Sequence, residues 1–554
     1  MSDGAPRIGT TDPRELLPEA IRPLRAAMEE EWRRLGLHRG ETLGEVVRGG
    51  AEQFPGTELV FHSEVRPATL TLAELLARAK RVAGAWHALG LREGDVVAIQ
   101  MPNWAETAIA YAAAGLLGAV FVPIVQIYGP AEVGFILRQS RARALLVPTR
   151  FRRLDYSEGL AGLGELPDLD FLFTVGERTP AGAIDWAEFE AGDAAPAPPP
   201  TRGAEDIATV IYTSGTTAEP KGVQHSSDSL VAELYGSPTP PPGIPGTVSL
   251  QPFPAGHTAG LCAMLGPFAH GYKTVMVDTW DAEVGVRLVE EHRVTAMAGT
   301  PIFIDTILDA AAASGGDIST LAHGITGGAG VPPSLIERAD AIGWRVARCY
   351  GATEGPSLTA SDSADSLARR SRTDGRPLAG NLLRILDEDG AQLGAGEAGE
   401  IVAIGPESFV SYSDPAFNED AFTADGWLRT GDIGVVDADG FLTITDRRKD
   451  IIIRGGENIS SKEVEDVLIL HPAVREGAVT GAPDRRYGEV VCAFVIVEAG
   501  RSIDLDSVRE HFFAAGIARQ KTPERLVEVT ELPRTAAGKV KKHELRAALS
   551  AADG

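Results

Sequence analysis

The chain has 554 residues, 44% of them apolar and 23% charged, and carries a net charge of −25. That length exceeds one compact core, so two or more domains are expected, with the composition of a soluble globular protein. The acidic balance excludes a general affinity for nucleic acid or anionic membrane, and any polyphosphate ligand needs locally concentrated positive charge. Cys262, Cys349 and Cys492 stand far apart with no CxxC pair. They point away from a disulfide framework or zinc site and fit a reducing, cytoplasmic location.

Residues 1–14 lack the basic-then-apolar layout of a signal peptide. Residues 15–36 are charged and helix-prone and read as a surface extension. The uncharged stretch from Thr107 to Val125 is long enough to weigh as a membrane span. Its alanines, Gly115, Gly118 and Pro123 favour instead a buried helix to about Leu117 and a buried strand, Ala119 to Val122. No transmembrane segment is expected. Helical periodicity over Leu72 to Leu89 alternates with strand-like runs at 96–99, 145–147 and 171–175, which predicts an α/β fold with mostly parallel sheets. The Pro/Ala run 194–200 reads as an extended connector, and the proline-rich segment 236–246 as a surface loop. Between Gly375 and Ile444, short strands broken by Asp-Gly turns predict a small antiparallel sheet or barrel packed on the α/β part. After Asp450 the pattern is strand (451–453), helix (461–470), two strands (476–480 and 489–497), helix (505–515) and a basic segment. This predicts a separate small α+β domain.

The most informative stretch is Tyr212-Thr213-Ser214-Gly215-Thr216-Thr217-Ala218-Glu219-Pro220-Lys221-Gly222, which follows the β-branched run 207–211. Hydroxyls, small residues and one lysine in an irregular segment can wrap backbone N–H groups and a cation around a polyphosphate. It is not a Walker A loop, since Pro220 precedes and Gly222 follows Lys221. An ordinary flexible Ser/Thr/Gly loop is the plainer alternative. The stretch resembles the phosphate loop of the adenylate-forming superfamily, the acyl-CoA synthetases, luciferases and peptide-synthetase adenylation domains. Ala218 stands where those proteins usually have glycine.

Further islands resemble the same superfamily in the same order, from about Leu43 to Arg546, and the resemblance implies their roles. In the phosphate loop, Thr213, Ser214, Gly215, Thr216, Thr217 and Lys221 would hold the ATP phosphates, with Thr217 also near the metal. In Phe253-Pro254-Ala255-Gly256-His257-Thr258-Ala259-Gly260, His257 would border the carboxylate substrate, and Thr258 and Gly260 would line the acyl pocket. Thr258, in place of the aspartate of amino-acid-activating relatives, argues against an α-amino acid. Gly327-Gly328-Ala329-Gly330 would wall the adenine pocket through Gly328 and Ala329 and the acyl pocket through Gly330. In Tyr350-Gly351-Ala352-Thr353-Glu354, Tyr350 and Gly351 would face adenine, Thr353 the α-phosphate and Glu354 a Mg²⁺ ion, for which a carboxylate is a suitable hard ligand. In Trp427-Leu428-Arg429-Thr430-Gly431-Asp432, Asp432 would take both ribose hydroxyls. Arg447 would reach ribose or phosphate, and Lys449 would be the hinge of the small domain. Gly455 and Gly456 would face coenzyme A, and Lys539, in Pro533-Arg534-Thr535-Ala536-Ala537-Gly538-Lys539, would be the catalytic lysine.

The resemblance implies an α/β N-terminal domain over residues 1–447, including a small β-barrel-like subdomain, and a mobile α+β C-terminal domain over 448–554. It implies an enzyme that activates a carboxylic acid with MgATP to an acyl-adenylate and passes the acyl group to coenzyme A. Tyr350 to Thr359 and Thr373 to Leu378 look most like bacterial ligases for cyclohexanecarboxylate and medium-chain fatty acids. One alternative is an acyl- or aryl-AMP ligase serving a free-standing carrier protein or another nucleophile. Another is a non-catalytic or luciferase-like oxidative descendant. The identity of the acid and the existence of a homo-oligomer are left open.

Overall fold

Short β-branched runs set between amphipathic helices build parallel sheets, because each helix carries the chain back to start the next strand on the same side. The computed structural model describes residues 12–160, 162–213, 220–237, 244–328, 331–387, 389–447, 451–533, 540 and 542–552. In one sheet, Arg345–Ala352, His323–Thr326, Ala296–Gly299, Val248–Gln251, Lys273–Val277 and Glu58–His62 run parallel. Gly355–Ala360 and Ala68–Thr71 join its two sides antiparallel. In the other, Ile207–Thr213, Val120–Pro123, Val96–Ile99, Ala144–Pro148, Phe171–Val175 and Ile184–Asp185 run parallel. Lys221–Ser226 and Ser411–Tyr412 complete that sheet antiparallel.

The alanine-rich helix Ala105–Leu117 is buried at every residue but Gly115, packed by Leu43–Gln53, Leu72–Leu89 and Thr258–His270. A helix enclosed on all sides has no polar face, which accounts for its uniform sequence. Among the described residues, no helix is long and apolar enough to cross a membrane. Leu72–Leu89 starts on a Thr71–Glu74 capping box and stops at Gly90 in the left-handed conformation.

Leu382–Leu386, Ala398–Ile404, Leu428–Val436 and Leu442–Arg447 form a curled antiparallel half-barrel. Its residues Ile385, Ile401, Ala403 and Leu442 pack on Tyr350 and Leu358. The chain closes in a small α+β domain whose sheet is ordered Glu457–Ser460, Ile451–Arg454, Gly488–Val497, Val474–Asp484. The final segment, for which no strand or helix was read, supplies two further elements. Arg525–Glu528 adds parallel to Gly488–Val497, and helix Lys542–Ala552 packs through Leu545 and Leu549 on Phe494 and Ile496. The stretch 15–36 also departs from the expected surface extension. Its helix Arg22–Arg34 buries Trp32 against Leu386, Val402, Ile404 and Trp427, and Arg25 Nη2 donates to the Phe409 carbonyl at 2.6 Å. Charged residues around one tryptophan hid that docking face.

A single buried amide ties the two large sheets together. Asn103 donates to the carbonyls of Phe253 (2.8 Å) and Val277 (2.9 Å) and accepts from Ala255 N–H at 2.7 Å. Tyr111 O–H adds a bond to Ala255 O at 2.9 Å. Asn103→Ala removes the partner of three backbone groups, two of them buried, at a cost on the order of 1–3 kcal/mol. A lowered thermal midpoint is expected in calorimetry, and an unchanged midpoint would show that the knot contributes nothing.

Candidate functional site

The two strands that flank the Ser/Thr-rich stretch pair antiparallel: Ile207–Thr213 lies against Lys221–Ser226, with Thr213 opposite Lys221. Ser214, Gly215, Thr216 and Thr217 lie outside the described residues. The Lys221 ammonium sits over two aromatic rings, 4.9 Å from the Tyr412 centroid and 4.3 Å from that of Phe417. Tyr412 O–H donates to Glu354 Oε1 at 2.5 Å. Burial and the Glu354 charge drive the Tyr412 phenol pKa far up, so it stays a donor. One aromatic residue thus touches both Lys221 and the carboxylate singled out as a metal ligand.

Four residues past Lys221, the same strand brings in His225. Its Nε2 lies 2.7 Å from the Thr353 carbonyl and its Nδ1 3.2 Å from Ser229 Oγ. Burial pushes its pKa down to about 4, against the smaller opposing effect of the carbonyl. The imidazole is therefore neutral at pH 7, and since a carbonyl only accepts, Nε2 carries the proton. His225 pins the Thr353-Glu354 turn to that strand.

Tyr350 and Gly351 stand near the end of the strand Arg345–Ala352, just before that turn. Tyr350 O–H donates to Asp432 Oδ2 at 2.8 Å, joining the parallel sheet to the half-barrel. Asp432 pairs with Arg447 across neighbouring strands; the Arg447 side chain lies outside the described residues. Gly328 follows the strand His323–Thr326 on the same sheet edge.

His257 stands at the start of helix Thr258–His270, and its Nε2 meets Glu457 Oε1 of the C-terminal domain at 2.7 Å. Burial alone would depress the His257 pKa, but the adjacent Glu457 carboxylate outweighs it and raises the value. Burial likewise opposes ionisation of Glu457, and His257 with Lys521 and Arg454 holds its pKa below the ordinary value. Just before Glu457, Gly455 and Gly456 make the turn at φ +56° and +92°, and a Cβ on Gly456 would lie 2.4 Å from Thr300 Cγ2. Only glycine allows this turn to seat so closely on the large domain. Behind it, Lys521 is 3% exposed and donates to Glu132 of the large domain (2.5 Å) and to Glu463 (2.9 and 3.0 Å). Burial disfavours that ammonium, yet the two carboxylates raise its pKa.

Thr258 opens the helix beside His257. At Gly260 a Cβ would come within 2.0 Å of Pro254 O, so the room gained there is taken by backbone rather than left for a ligand. Ala329, Gly330, Lys449 and Lys539 lie outside the described residues. Asn103, His225, Tyr412 and the Lys521 cluster escaped the sequence reading. Glu457 had a weak signal, an acid directly after two glycines in a motif already singled out.

The family model "AMP-binding enzyme" matches residues 47–413, and "AMP-binding enzyme C-terminal domain" matches 463–539. The medium-chain fatty-acid–CoA ligase of Escherichia coli K12 is 32% identical over 484 residues, 86% of each chain. An amide bond synthetase from Marinactinospora thermotolerans superposes with a TM-score of 0.81 at 28% identity, covering 91% of this chain and 99% of that one. A double mutant of o-succinylbenzoate CoA synthetase from Bacillus subtilis, bound with its product analogue, gives 0.78 at 28%, covering 91% and 98%. A parallel-sheet body with a half-barrel and a small C-terminal domain around such a site defines an adenylate-forming enzyme. The chain belongs to the AMP-binding enzyme family.

The His257–Glu457 pair has a defined pH window. The Glu457 contribution is present above its ordinary pKa and lost as pH falls through the depressed value. The His257 contribution is complete below its ordinary pKa and lost as pH rises through the raised value. In NMR, His257 is expected to titrate above its ordinary value of 6.5, and Glu457→Gln to drop it below that value. Identical titrations would show that the two groups do not interact.

Proposed function

We propose that the protein is an AMP-forming acyl-CoA ligase. A carboxylic acid attacks the α-phosphorus of ATP to give an acyl-adenylate and pyrophosphate, and the thiol of coenzyme A then takes the acyl group and releases AMP. The observation that carries this reading is the seating of the Gly455–Gly456 turn on Thr300 with Glu457 on His257. It presents a close-fitting glycine surface of the small domain to the acid side of the site. The names of the E. coli and B. subtilis relatives support coenzyme A as acceptor.

In the first step the chain positions its substrates and neutralises charge. Thr213, Ser214, Gly215, Thr216, Thr217 and Lys221 take the β- and γ-phosphates. Tyr350, Gly351, Gly328 and Ala329 enclose adenine, Asp432 and Arg447 hold the ribose, and Thr353 faces the α-phosphate. Glu354 with Thr217 would hold Mg²⁺. The fit is sound, because Tyr412 fixes one Glu354 oxygen and such an ion completes its shell with phosphate oxygens and water. When bound, the ion offsets phosphate charge. Lys539 brings its ammonium to the reacting carboxylate and α-phosphate. His257, Thr258 and Gly330 border the acyl group.

We place the domain boundary between residues 447 and 448 and the hinge at Lys449. Rotation there withdraws Lys539 and seats the Gly455–Gly456 turn, with Lys521 locking the new interface. Alternation keeps pyrophosphate and thiol from competing for one space. A second reading, transfer to an amine, rests on the likeness to the amide bond synthetase.

The deciding experiment scores AMP release from a panel of linear, alicyclic and aromatic acids, with and without coenzyme A. CoA-dependent release with acyl-CoA found by mass spectrometry is expected. Pyrophosphate release indifferent to CoA would sink the thioester reading and move the search to amines or a carrier protein. Two variants separate the half-reactions. Lys539→Ala is expected to slow adenylate formation by about a hundredfold or more while prepared acyl-adenylate still reacts with CoA. Lys521→Met leaves two buried carboxylates facing each other, and is expected to slow acyl transfer with adenylation preserved, as read by ATP–pyrophosphate exchange. Equal loss in both steps would contradict its role as an interface lock.

A further inference from the structure

The contact between the domains continues from Glu457 and Lys521 outward to the molecular surface. The Lys521 ammonium lies 5.3 Å from the Tyr128 ring centroid. Just beyond, a Cβ on Gly516 of the small domain would touch Ala131 at 3.7 Å and Pro130 at 3.9 Å. On its other side, Pro130 Cγ lies 3.6 Å from a Cβ placed on Gly159, in the short helix Tyr156–Leu160. That helix follows directly on a small hairpin, Arg150–Phe151 against Leu154–Asp155. Phe151 stands edge-on to Trp104 with ring centroids 5.9 Å apart, and Tyr156 O–H donates to the Gln126 carbonyl. The hairpin therefore belongs to the large domain's lip of the seam, and the chain around Gly516 forms the lip of the small domain.

Both lips carry arginines that the protein itself leaves unused. Arg150, Arg152 and Arg153 are exposed, and among the described residues none of them forms an ion pair; Arg150 Nε donates to the Arg152 carbonyl at 3.4 Å. The hairpin's own carboxylate is occupied, since Asp155 Oδ1 accepts from the N–H groups of Ser157 (2.9 Å) and Glu158 (3.3 Å). In the same subdomain Arg141 and Arg143 are both paired with aspartates, as expected in a chain with a net charge of −25. Arg152 also holds φ +55° in the hairpin turn, where glycine or asparagine would be the easier choice. On the facing lip, Arg519 is exposed, has no ion pair among the described residues, and stands between Gly516 and Lys521, which both meet the large domain. Phe513, whose carbonyl accepts from Gly516 N–H at 3.0 Å, is 85% exposed. A ring so bare contributes nothing to the core, and beside unpaired arginines it offers a stacking face.

We propose that the nucleotide end of coenzyme A rests on this rim: Arg152, Arg153 and Arg519 receive its 3′-phosphate and diphosphate, and its adenine stacks on Phe513. This inference rests on the ligase reading above. Guanidinium forks match phosphate oxygens, and an acidic protein needs such a local cluster to hold a polyanion. The rim shares its seam with the His257–Glu457 contact, which puts the phosphates outside in water and the thiol end toward the acid. Because the two lips come from different domains, the complete rim exists only in the arrangement seen here, and coenzyme A binding favours that arrangement.

The test compares coenzyme A, 3′-dephospho-coenzyme A and pantetheine as acceptors in AMP release. The wild type is expected to show a KM that rises about tenfold on loss of the 3′-phosphate and further on loss of the whole nucleotide. The double variant Arg152→Gln/Arg153→Gln is expected to raise the KM for coenzyme A by about tenfold, with the KM for pantetheine and the ATP–pyrophosphate exchange rate unmoved. Arg519→Gln is expected to act in the same direction, and Phe513→Ala to weaken both nucleotide-bearing thiols but not pantetheine. All four side chains are exposed, so the variants are expected to fold with an unchanged thermal midpoint. An unchanged KM for coenzyme A in the double variant or in Arg519→Gln, or a wild type that uses pantetheine as well as coenzyme A, would overturn the inference. Those results would spare the ligase reading, whereas AMP release that no thiol accelerates would bring down both.

Discussion

One buried ammonium, Lys521, is shared by carboxylates of the large and the small domain beside the candidate site. A buried charge is tolerated only when it is paired, and here the pairing spans the interface: Glu132 from the large domain, Glu463 from the small one. Any rotation that separates the domains must part Lys521 from Glu132 and expose both to water. The cluster therefore favours one discrete arrangement over a continuum. Within that arrangement the His257–Glu457 contact and the close approach of Gly456 to Thr300 follow as geometric consequences.

The same logic governs charge at the nucleotide side. In a chain with a net charge of −25, a phosphate site depends on cations held firmly in place. Lys221 is braced by the faces of Tyr412 and Phe417, while the Tyr412 hydroxyl occupies one oxygen of Glu354. His225, uncharged through burial, fixes the turn without adding to the field.

Much of the fold was legible because strand and helix periods are local properties. The strands at 96–99 and 171–175, the helix over 72–89 and the half-barrel follow directly from alternation and turn residues. Several islands of the site were legible because they stand at strand ends or tight turns, where small and polar residues interrupt apolar runs. What local pattern could not reveal are the side chains that join distant segments. Asn103 looks like a loop asparagine until Val277 and Phe253 arrive beside it, and Lys521 looks like a solvated lysine. The helix Arg22–Arg34 carries too many charges to advertise the tryptophan it buries. The terminal helix Lys542–Ala552 was hidden by its basic residues in the same way.

The docking of that first helix reaches further than packing. Arg25 grips the Phe409 carbonyl, and the Phe409 N–H holds the Glu354 carbonyl at 2.8 Å. Two hydrogen bonds through one residue thus connect the leading helix to the turn that carries Glu354. The fit of an affinity tag, fusion partner or truncation ahead of that helix is therefore not a neutral matter of expression. Whatever displaces Arg25 is transmitted to the turn at the centre of the site.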